Sequence, residues 1–391
     1  MSPERREAAR PYLLGLGLLV AAVLAVQRWV SWGDAVRAGI RDTGFGADMR
    51  FYEVIARAAP SFPDRHVLRP YAERFPTHWL VGVIGDATGL GLHPLYRVAE
   101  LLVLALVIAV VYLVLARVGL GAAGQMLALA VLVASAYPVH YLLAAPGMLS
   151  DAVFLLGLAL CLLGFARGSF ALVLAGLLVG VLGRQTAVPV AFAAALWAAY
   201  APAWRHARYR FAAATALVPL ALWLVLHFSA NGFADPERGG WHDLTVIGFL
   251  SDTDDLGDHL GRIVLGILVP CALVAGAWLR TRGDVPRGAL LLAAAVIVQP
   301  LVLGPASTGG NEARLAALSL PALAIAAGAL LRGARLQGWE TAVLAAALFA
   351  AGLHHRYTHV GIGRPGWVAL EIAGSVVIVA LLARPAVVPV R

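Results

Sequence analysis

The chain has 391 residues, of which 61% are hydrophobic and only 13% are charged, and its net charge is +8. A soluble globular domain carries about 25% charged residues, so this composition excludes an ordinary water-soluble protein. Every basic residue is arginine, and the arginines are spread over short loops, which argues against a nucleic-acid partner. The two cysteines, Cys161 and Cys271, both fall in apolar runs, so we expect neither a disulfide framework nor a cysteine zinc site.

Repeated apolar runs of about 17 to 22 residues predict helices that cross a membrane. We therefore predict an all-α, polytopic membrane protein that forms one domain over residues 1–391, with about twelve transmembrane helices. The first run is followed by many others and by no cleavage site of small residues, so we interpret it as a retained helix. In chain order the predicted spans are 11–31, 97–116, 121–139, 149–166, 169–183, 187–203, 211–229, 261–279, 288–304, 315–331, 340–354 and 367–384.

A long loop, 32–96, separates the first two predicted spans, and we expect it to contain short interfacial helices. Within it, the stretch from Trp79 to Leu92 is apolar but short and contains four glycines and an aspartate. We predict that this stretch is interfacial or re-entrant. A second large loop covers residues 231–260.

The distribution of arginine predicts the orientation. If both termini are cytoplasmic and twelve spans alternate, the cytoplasmic segments hold 15 of the 30 arginines but only four of the 22 acidic residues. Counting the stretch from Trp79 to Leu92 as a span would move the arginine-rich loops 204–210 and 280–287 to the outside, against the positive-inside rule. The Ala/Arg/Gly-rich composition is typical of a high-GC bacterium, so we predict a bacterial inner membrane.

Polar residues gather at the outer ends of the predicted spans. Ionisable residues at membrane depth are costly, so they are candidate functional residues. The predicted topology brings them to one face from four distant segments. They are Asp48, Glu53 and Arg69 in the first loop, Asp151 at the start of the fourth span, Arg184 and Gln185 after the fifth, and Asn311 and Arg314 before the tenth.

Each of these residues also has a structural interpretation. Asp48 and Asp151 stand at predicted helix starts, where a carboxylate can cap the helix. Arg184 and Arg314 could extend toward lipid headgroups. Arg69 could form an ordinary ion pair within the loop. The sequence alone leaves these alternatives open.

Two patterns suggest metal ligands but lack the partners that a metal site needs. Residues 252, 255 and 258 form an acidic DxxDxxD pattern, similar to the Mg-diphosphate motifs of membrane prenyltransferases, but no second acidic motif accompanies it. Histidines 354, 355 and 359 have no HExxH motif or third carboxylate beside them. We therefore assign no metal ligands, and leave a divalent cation open.

Five segments together resemble the GT-C class of integral-membrane glycosyltransferases, which includes dolichyl-phosphate-mannose and bacterial polyprenyl-phosphate-sugar transferases. The resemblance lies in their order: one span, a long outer loop with an acid in a D-x-x-F/Y-Y context, and then many spans. By motif it covers about 50 residues, and by architecture it covers most of the chain. The segments are GADMRFYEVIARA (46–58), HVLRPYAERF (66–75), PGMLSDAVFLLGLAL (146–160), GRQTAVPV (183–190) and NEARLAALSLPALA (311–324).

The resemblance implies an inverting hexosyl or pentosyl transfer on the outer face, from a polyprenyl-phosphate donor to a glycan, lipid or protein acceptor. It implies that Asp48 is the general base and that Arg314 and Arg184 bind the donor phosphate. Many members carry a second acid close to the first-loop aspartate, whereas here Glu53 is the next acid. Glu53 is therefore the second candidate catalytic acid, and Arg69, Asp151, Gln185 and Asn311 are expected to complete the donor site.

Two alternatives remain at this point. A transporter or lipid flippase could also bind an anionic substrate through arginine, but it would usually carry polar residues and broken helices at mid-membrane. A non-catalytic scaffold could keep the GT-C architecture without the chemistry.

Overall fold

The computed structural model describes residues 3–25, 46–64, 66–235, 256–308, 311–334, 336–354 and 362–384. Within these residues the chain is helical and contains no strand, only one isolated parallel bridge between Val67 and Ala234. The all-α prediction is therefore confirmed for the described part of the chain.

The helices are numbered here in chain order over the described residues. They are α1 Pro3–Ala25, α2 Gly46–Ala58, α3 Arg69–Ala72, α4 Phe75–Thr88, α5 Leu92–Val118, α6 Ala122–Ala134, α7 Tyr141–Ala144, α8 Leu149–Arg167, α9 Phe170–Gly183, α10 Ala187–Tyr200, α11 Arg208–Ala230, α12 Leu256–Thr281, α13 Arg287–Thr308, α14 Glu312–Ala317, α15 Leu320–Leu331, α16 Gly338–Ala351 and α17 Arg364–Leu382.

Each predicted span overlaps an apolar helix. Among the described helices, five stretches are long and apolar enough to cross a membrane: α5, Pro146–Arg167 with α8, α11, α12 and α17. Seven further apolar helices are shorter, so the number of twelve spans remains a prediction. The apolar surface of α11, where Leu217, Val225 and Phe228 are each about 60% exposed, is what a lipid-facing helix requires. The fold is that of a membrane-embedded helical protein.

The apolar stretch from Trp79 to Leu92 mostly falls in α4, a helix of 14 residues. Gly89, with a φ of 70°, then ends this helix in the left-handed conformation that glycine adopts without strain. The next helix, α5, begins at Leu92, five residues before the predicted second span. The long first loop therefore contains α2, α3 and α4, as expected of a loop with short helices.

Successive long helices are antiparallel, so their connections alternate between two ends of the bundle. At one end, the turn after α8 meets the turn after α10, because Trp204 donates a hydrogen bond to the carbonyl oxygen of Gly168 at 3.2 Å. At the opposite end lie the start of α8, the turn between α9 and α10, the end of α11 and helix α14. That second end holds the candidate residues, and we call it the polar end.

Glycine on α9 lets its backbone touch α8. A methyl group at Gly176 would stand 2.4 Å from the backbone nitrogen of Cys161 on α8, and at Gly183 it would stand 2.6 Å from the carbonyl oxygen of Ser150, and both distances are too short for a side-chain carbon. Such close approach through small residues is the usual way in which helices pack inside a membrane. The contact at Gly183 places the next residue, Arg184, beside the residue after Ser150, which is Asp151.

Helix α14 is positioned in a similar way. A methyl group at Gly266 of α12 would lie 2.3 Å from the carbonyl oxygen of Ala313, so only glycine permits this approach. The contact fixes α14, and with it Arg314, against the bundle.

The two large loops are joined at the polar end. Val67 donates a backbone hydrogen bond to the carbonyl oxygen of Phe233 at 2.9 Å, and its own carbonyl accepts one from Asp235 at 2.8 Å. The segment 66–74, which we call the strap, is thereby attached to the chain that follows α11.

Candidate functional site

An aspartate and two arginines from three helical segments meet at the polar end. Asp151, in the first turn of α8, is fully buried, while Arg184 after α9 and Arg314 in α14 are 2% and 5% exposed. Arg184 donates a hydrogen bond to one Asp151 carboxylate oxygen, and Arg314 Nε lies 3.6 Å from the other. The N-cap residue of α8 is Met148, so Asp151 does not cap the helix. Since both arginines are buried, neither extends to lipid headgroups.

A third arginine, Arg74 of the strap, reaches the same place. It is 7% exposed. Its Nη1 donates to Tyr52 Oη at 2.8 Å, and its Nε donates to Gln185 Oε1 at 3.0 Å. Ser150 Oγ also lies 3.4 Å from Tyr52 Oη, which links this arginine to the start of α8. We call Arg74, Arg184, Arg314 and Asp151 the arginine cluster.

The arginine cluster has three guanidinium groups and one carboxylate. Burial, and then the positive charge of Arg74, lower the pKa of Arg184, and Arg314 adds to this effect while Asp151 opposes it. Arg184 Nε is buried and has no hydrogen-bond partner among the described residues. A buried surplus of positive charge is expensive unless an anion compensates it. The cluster therefore has the charge and a spare donor for a bound anion.

Glu312, the acidic residue nearest to Arg314 in the sequence, contacts a different set of residues. Glu312 is 2% exposed and lies 3.2 Å from Nδ1 of His259, while Arg262 stands 3.7 Å from its second oxygen. His259 Nε2 lies 2.9 Å from the carbonyl oxygen of Pro300. Glu312 is thus held by a histidine and a different arginine, both on α12.

Arg314 is also held from the side of α7. Its Nη1 donates to Tyr141 Oη at 2.6 Å, and its guanidinium lies over the Tyr141 ring, 5.2 Å from the centroid. A hydrogen bond and a cation–π contact together fix the orientation of a guanidinium group. Arg314 is therefore rigidly placed before any ligand arrives.

A hydrogen-bonded chain leads from the arginine cluster to α11. Gln185 accepts from Arg74 through Oε1 and donates through Nε2 to Glu73 Oε2 at 2.9 Å. The other oxygen of Glu73 lies 2.7 Å from His227 Nδ1. His227 Nε2 is in turn 3.4 Å from Arg69 Nη1, which donates to Asn231 at 3.0 Å. The structure thus brings Arg69 and Gln185 into one network with the arginine cluster.

Three predicted site residues remain, and the two whose side chains are described, Glu53 and Asn311, lie apart from this network. Asp48 is in the first turn of α2, four residues before Tyr52, and its side chain lies outside the described residues. Glu53 accepts from Arg57 at 2.7 Å in a surface ion pair on α2. Asn311 stands at the N-cap position of α14, and its side chain makes no capping hydrogen bond.

The sequence reasoning did not select four residues of the network: Tyr52, Glu73, Arg74 and His227. Glu73 and Arg74 belong to HVLRPYAERF, the segment that also contains the predicted site residue Arg69. The sequence feature that could have identified them is the pair of adjacent charged residues at the end of a short helix in a loop. Tyr52 and His227 carry no comparable signal, because a tyrosine in an amphipathic helix and a histidine at a span end are ordinary.

The acidic pattern of the second large loop falls mostly outside the described residues. Its last member, Asp258, pairs with Arg262 and lies 3.4 Å from Arg364. Of the three late histidines, only His354 is described, 3.3 Å from Tyr137 Oη. In the described part of the chain, no group of three His, Cys, Asp or Glu side chains has the spacing of a metal site.

Comparison with known proteins adds no assignment. No protein-family model, no curated protein and no solved structure matches this chain.

Proposed function

We propose that this protein is a membrane glycosyltransferase that moves a sugar from a polyprenyl-phosphate donor to an acceptor on the extracytoplasmic face of a bacterial inner membrane, with both termini in the cytoplasm. The observation that carries the proposal is the arginine cluster, three buried guanidinium groups against one carboxylate at one end of an apolar helical bundle. The arginine count of the loops supports the extracytoplasmic placement of this end.

The chemistry of the cluster suits a lipid phosphate that leaves. In glycosyl transfer the bond from the sugar to the phosphate breaks, and negative charge grows on the leaving oxygen. Arginine donates paired hydrogen bonds to phosphate oxygens and stabilises this charge best where water is excluded. The donor's isoprenoid chain stays in lipid while its phosphate lies at the bundle end, which is where the cluster is.

Asp48 is the general base that the resemblance to GT-C glycosyltransferases implies. It lies in the helix that also provides Tyr52 to the arginine cluster. If Asp48 takes the proton of the acceptor hydroxyl, Asp48→Asn abolishes transfer and leaves expression and folding intact. Full activity in this variant would contradict the assignment.

A binding experiment tests the phosphate site. Purified protein in detergent is titrated with decaprenyl phosphate and, separately, with decaprenol, which lacks the charge. We expect saturable binding of the phosphate alone, weakened at least tenfold in Arg184→Gln and in Arg314→Gln. Arg57→Gln is the matched control, because Arg57 is an exposed arginine of the polar end whose described ion pair is with Glu53. Equal affinity for decaprenol, or unchanged affinity in both cluster variants, would overturn the phosphate site.

A second experiment tests transfer. Proteoliposomes are supplied with decaprenyl-phosphate-linked mannose, glucose, galactose or arabinose, and the release of decaprenyl phosphate is followed by mass spectrometry. Release that depends on Arg184 and Arg314 supports a transferase. Binding of donor without release, together with movement of the lipid between leaflets, would indicate a flippase instead. Binding with neither would indicate a scaffold.

A further inference from the structure

Glu73 and His227 form a pair that the proposed phosphate site does not use. The hydrogen-bond network fixes the orientation of both. Since arginine can only donate, Gln185 must face Arg74 with its oxygen, and its amide nitrogen therefore faces Glu73. Trp223 Nε1, which also can only donate, lies 3.2 Å from the same carboxylate.

Gln185 and Trp223 thus both donate to one oxygen of Glu73, Oε2, and His227 Nδ1 lies 2.7 Å from the other oxygen. Arg69 Nη1, which can only donate, faces His227 Nε2, so Nε2 accepts and the ring hydrogen stands on Nδ1, directed at Glu73. In the neutral imidazole this leaves the lone pair on Nε2. A carboxylate that holds one ring nitrogen and directs the other outward is the arrangement that orients a histidine for proton transfer.

The lone pair of His227 Nε2 is only loosely engaged. Arg69 Nη1 lies 3.4 Å away, longer than a strong hydrogen bond, and has its shorter bond of 3.0 Å with Asn231. The side chain of His227 is 16% exposed, whereas that of Glu73 is 7% exposed and fully engaged. Of the two, His227 is the group that a substrate can reach.

The position of His227 also suits the proposed transfer. Two hydrogen-bonded side chains, Glu73 and Gln185, separate it from Arg74 of the arginine cluster. In an inverting transfer the base lies across the anomeric carbon from the phosphate, so the base and the phosphate site must lie at the same end of the bundle, as His227 and the arginine cluster do.

We propose that His227 Nε2, in place of Asp48, is the proton acceptor for the acceptor hydroxyl, and that Glu73 positions it. The proposal rests on the sugar transfer proposed above. The acceptor oxygen forms its bond to the anomeric carbon, the bond from that carbon to the phosphate oxygen breaks with its electron pair on the phosphate, and the hydroxyl proton passes to Nε2. The resulting imidazolium is stabilised by the Glu73 carboxylate and is repelled by Arg69, the two charged side chains that face it among the described residues.

The test separates His227 from Asp48 and from a structural role. Release of decaprenyl phosphate is measured for the wild-type protein, His227→Gln, His227→Ala with and without added imidazole, and Glu73→Gln. His206→Gln is the control, because His206 is exposed at the opposite end of the bundle. Affinity for decaprenyl phosphate is measured alongside, since it reports folding of the site.

We expect His227→Gln to lower kcat about 100-fold or more while the affinity for decaprenyl phosphate changes less than twofold. Imidazole should restore turnover of His227→Ala. Glu73→Gln, which keeps an acceptor for Nδ1 without its charge, should lower kcat about 10-fold. If His227→Gln fails to bind decaprenyl phosphate, the imidazole rescue and the Glu73 variant carry the test.

A kcat of His227→Gln within threefold of wild type, or no rescue of His227→Ala by imidazole, would overturn the role of His227. Loss of transfer in Asp48→Asn with normal transfer in His227→Gln would overturn it in favour of Asp48. No donor release by the wild-type protein would overturn the sugar transfer itself, and the role of His227 with it.

Discussion

Replacing Asp151 with asparagine removes one negative charge and almost no volume. The carboxylate is fully buried and contacts Arg184 and Arg314, so both arginines would lose their compensating charge. Removing one partner of a buried ion pair costs about 3 to 5 kcal/mol. We therefore expect Asp151→Asn to unfold at a temperature several degrees below that of the wild-type protein.

The same substitution should have the opposite effect on anion binding. A phosphate bound to the arginines would lie about 6 Å from position 151, and at an effective dielectric constant of about 20 one unit charge at that distance is worth roughly 3 kcal/mol. Asp151→Asn should therefore bind decaprenyl phosphate up to about 100-fold more tightly. Arg184→Gln breaks the same pair but removes a positive charge, so it should bind more weakly.

The assay measures both quantities on three variants, Asp151→Asn, Arg184→Gln and the double substitution. Tryptophan fluorescence follows thermal unfolding, and titration with decaprenyl phosphate gives the affinity. The double variant restores the balance of charge and should be more stable than the sum of the single effects predicts. Weaker binding by Asp151→Asn would refute the electrostatic reasoning, and an unchanged unfolding temperature would refute the charge-compensating role of Asp151.

Three further outcomes follow from described contacts. Gly183→Ala should lower stability and donor affinity, because its methyl group meets α8, whereas Gly17→Ala, with nothing within 4 Å, should do neither; thermal unfolding and titration compare the two. Burial, and then the nearby Arg74 charge, lower the pKa of His78 from 6.5 to about 3, so the unfolded chain takes up this proton first. The free energy of unfolding should then fall as pH drops from about 6.5 toward 3, by at most about 5 kcal/mol, and His78→Phe should show a smaller acid shift of the unfolding temperature; an equal shift would contradict this origin. Glu53→Gln removes a surface ion pair worth less than about 1 kcal/mol and should leave stability and donor release nearly unchanged, and a loss of release above tenfold would place Glu53 in the site.

The sequence predicts the juxtaposition of Asp151 and Arg184 better than it predicts the rest of the site. Alternating spans force the start of one helix and the end of the next to the same end, and the glycines of α9 signal close packing. The alternation of spans depends only on the length and the order of the helices. It also brings Arg314 to this end, since six long helices, α8 to α13, lie between the start of α8 and α14.

The contact of Arg74 with Tyr52 could not be predicted in this way. Both residues lie in the first loop, where short helices are positioned by tertiary packing and not by the membrane. The contact of His227 with Glu73 could not be predicted either, because the two residues are 154 positions apart in the chain. Apolar periodicity places elements, but it carries no information on which polar side chains of two loops will meet. The helix boundaries differ from the predicted spans by up to eight residues, at the start of α1, because polar first turns do not show in a hydropathy pattern.

The bridge between Val67 and Ala234 joins the two large loops through backbone hydrogen bonds. The strap that it anchors also carries Arg69, Glu73 and Arg74, so displacement of the chain after α11 is transmitted directly to the arginine cluster. For anyone inserting an epitope or a protease site, residues 233–235 are therefore as sensitive as the strap itself, although they lie more than 150 positions from it in sequence. The contact between the two loops is therefore the place to leave intact.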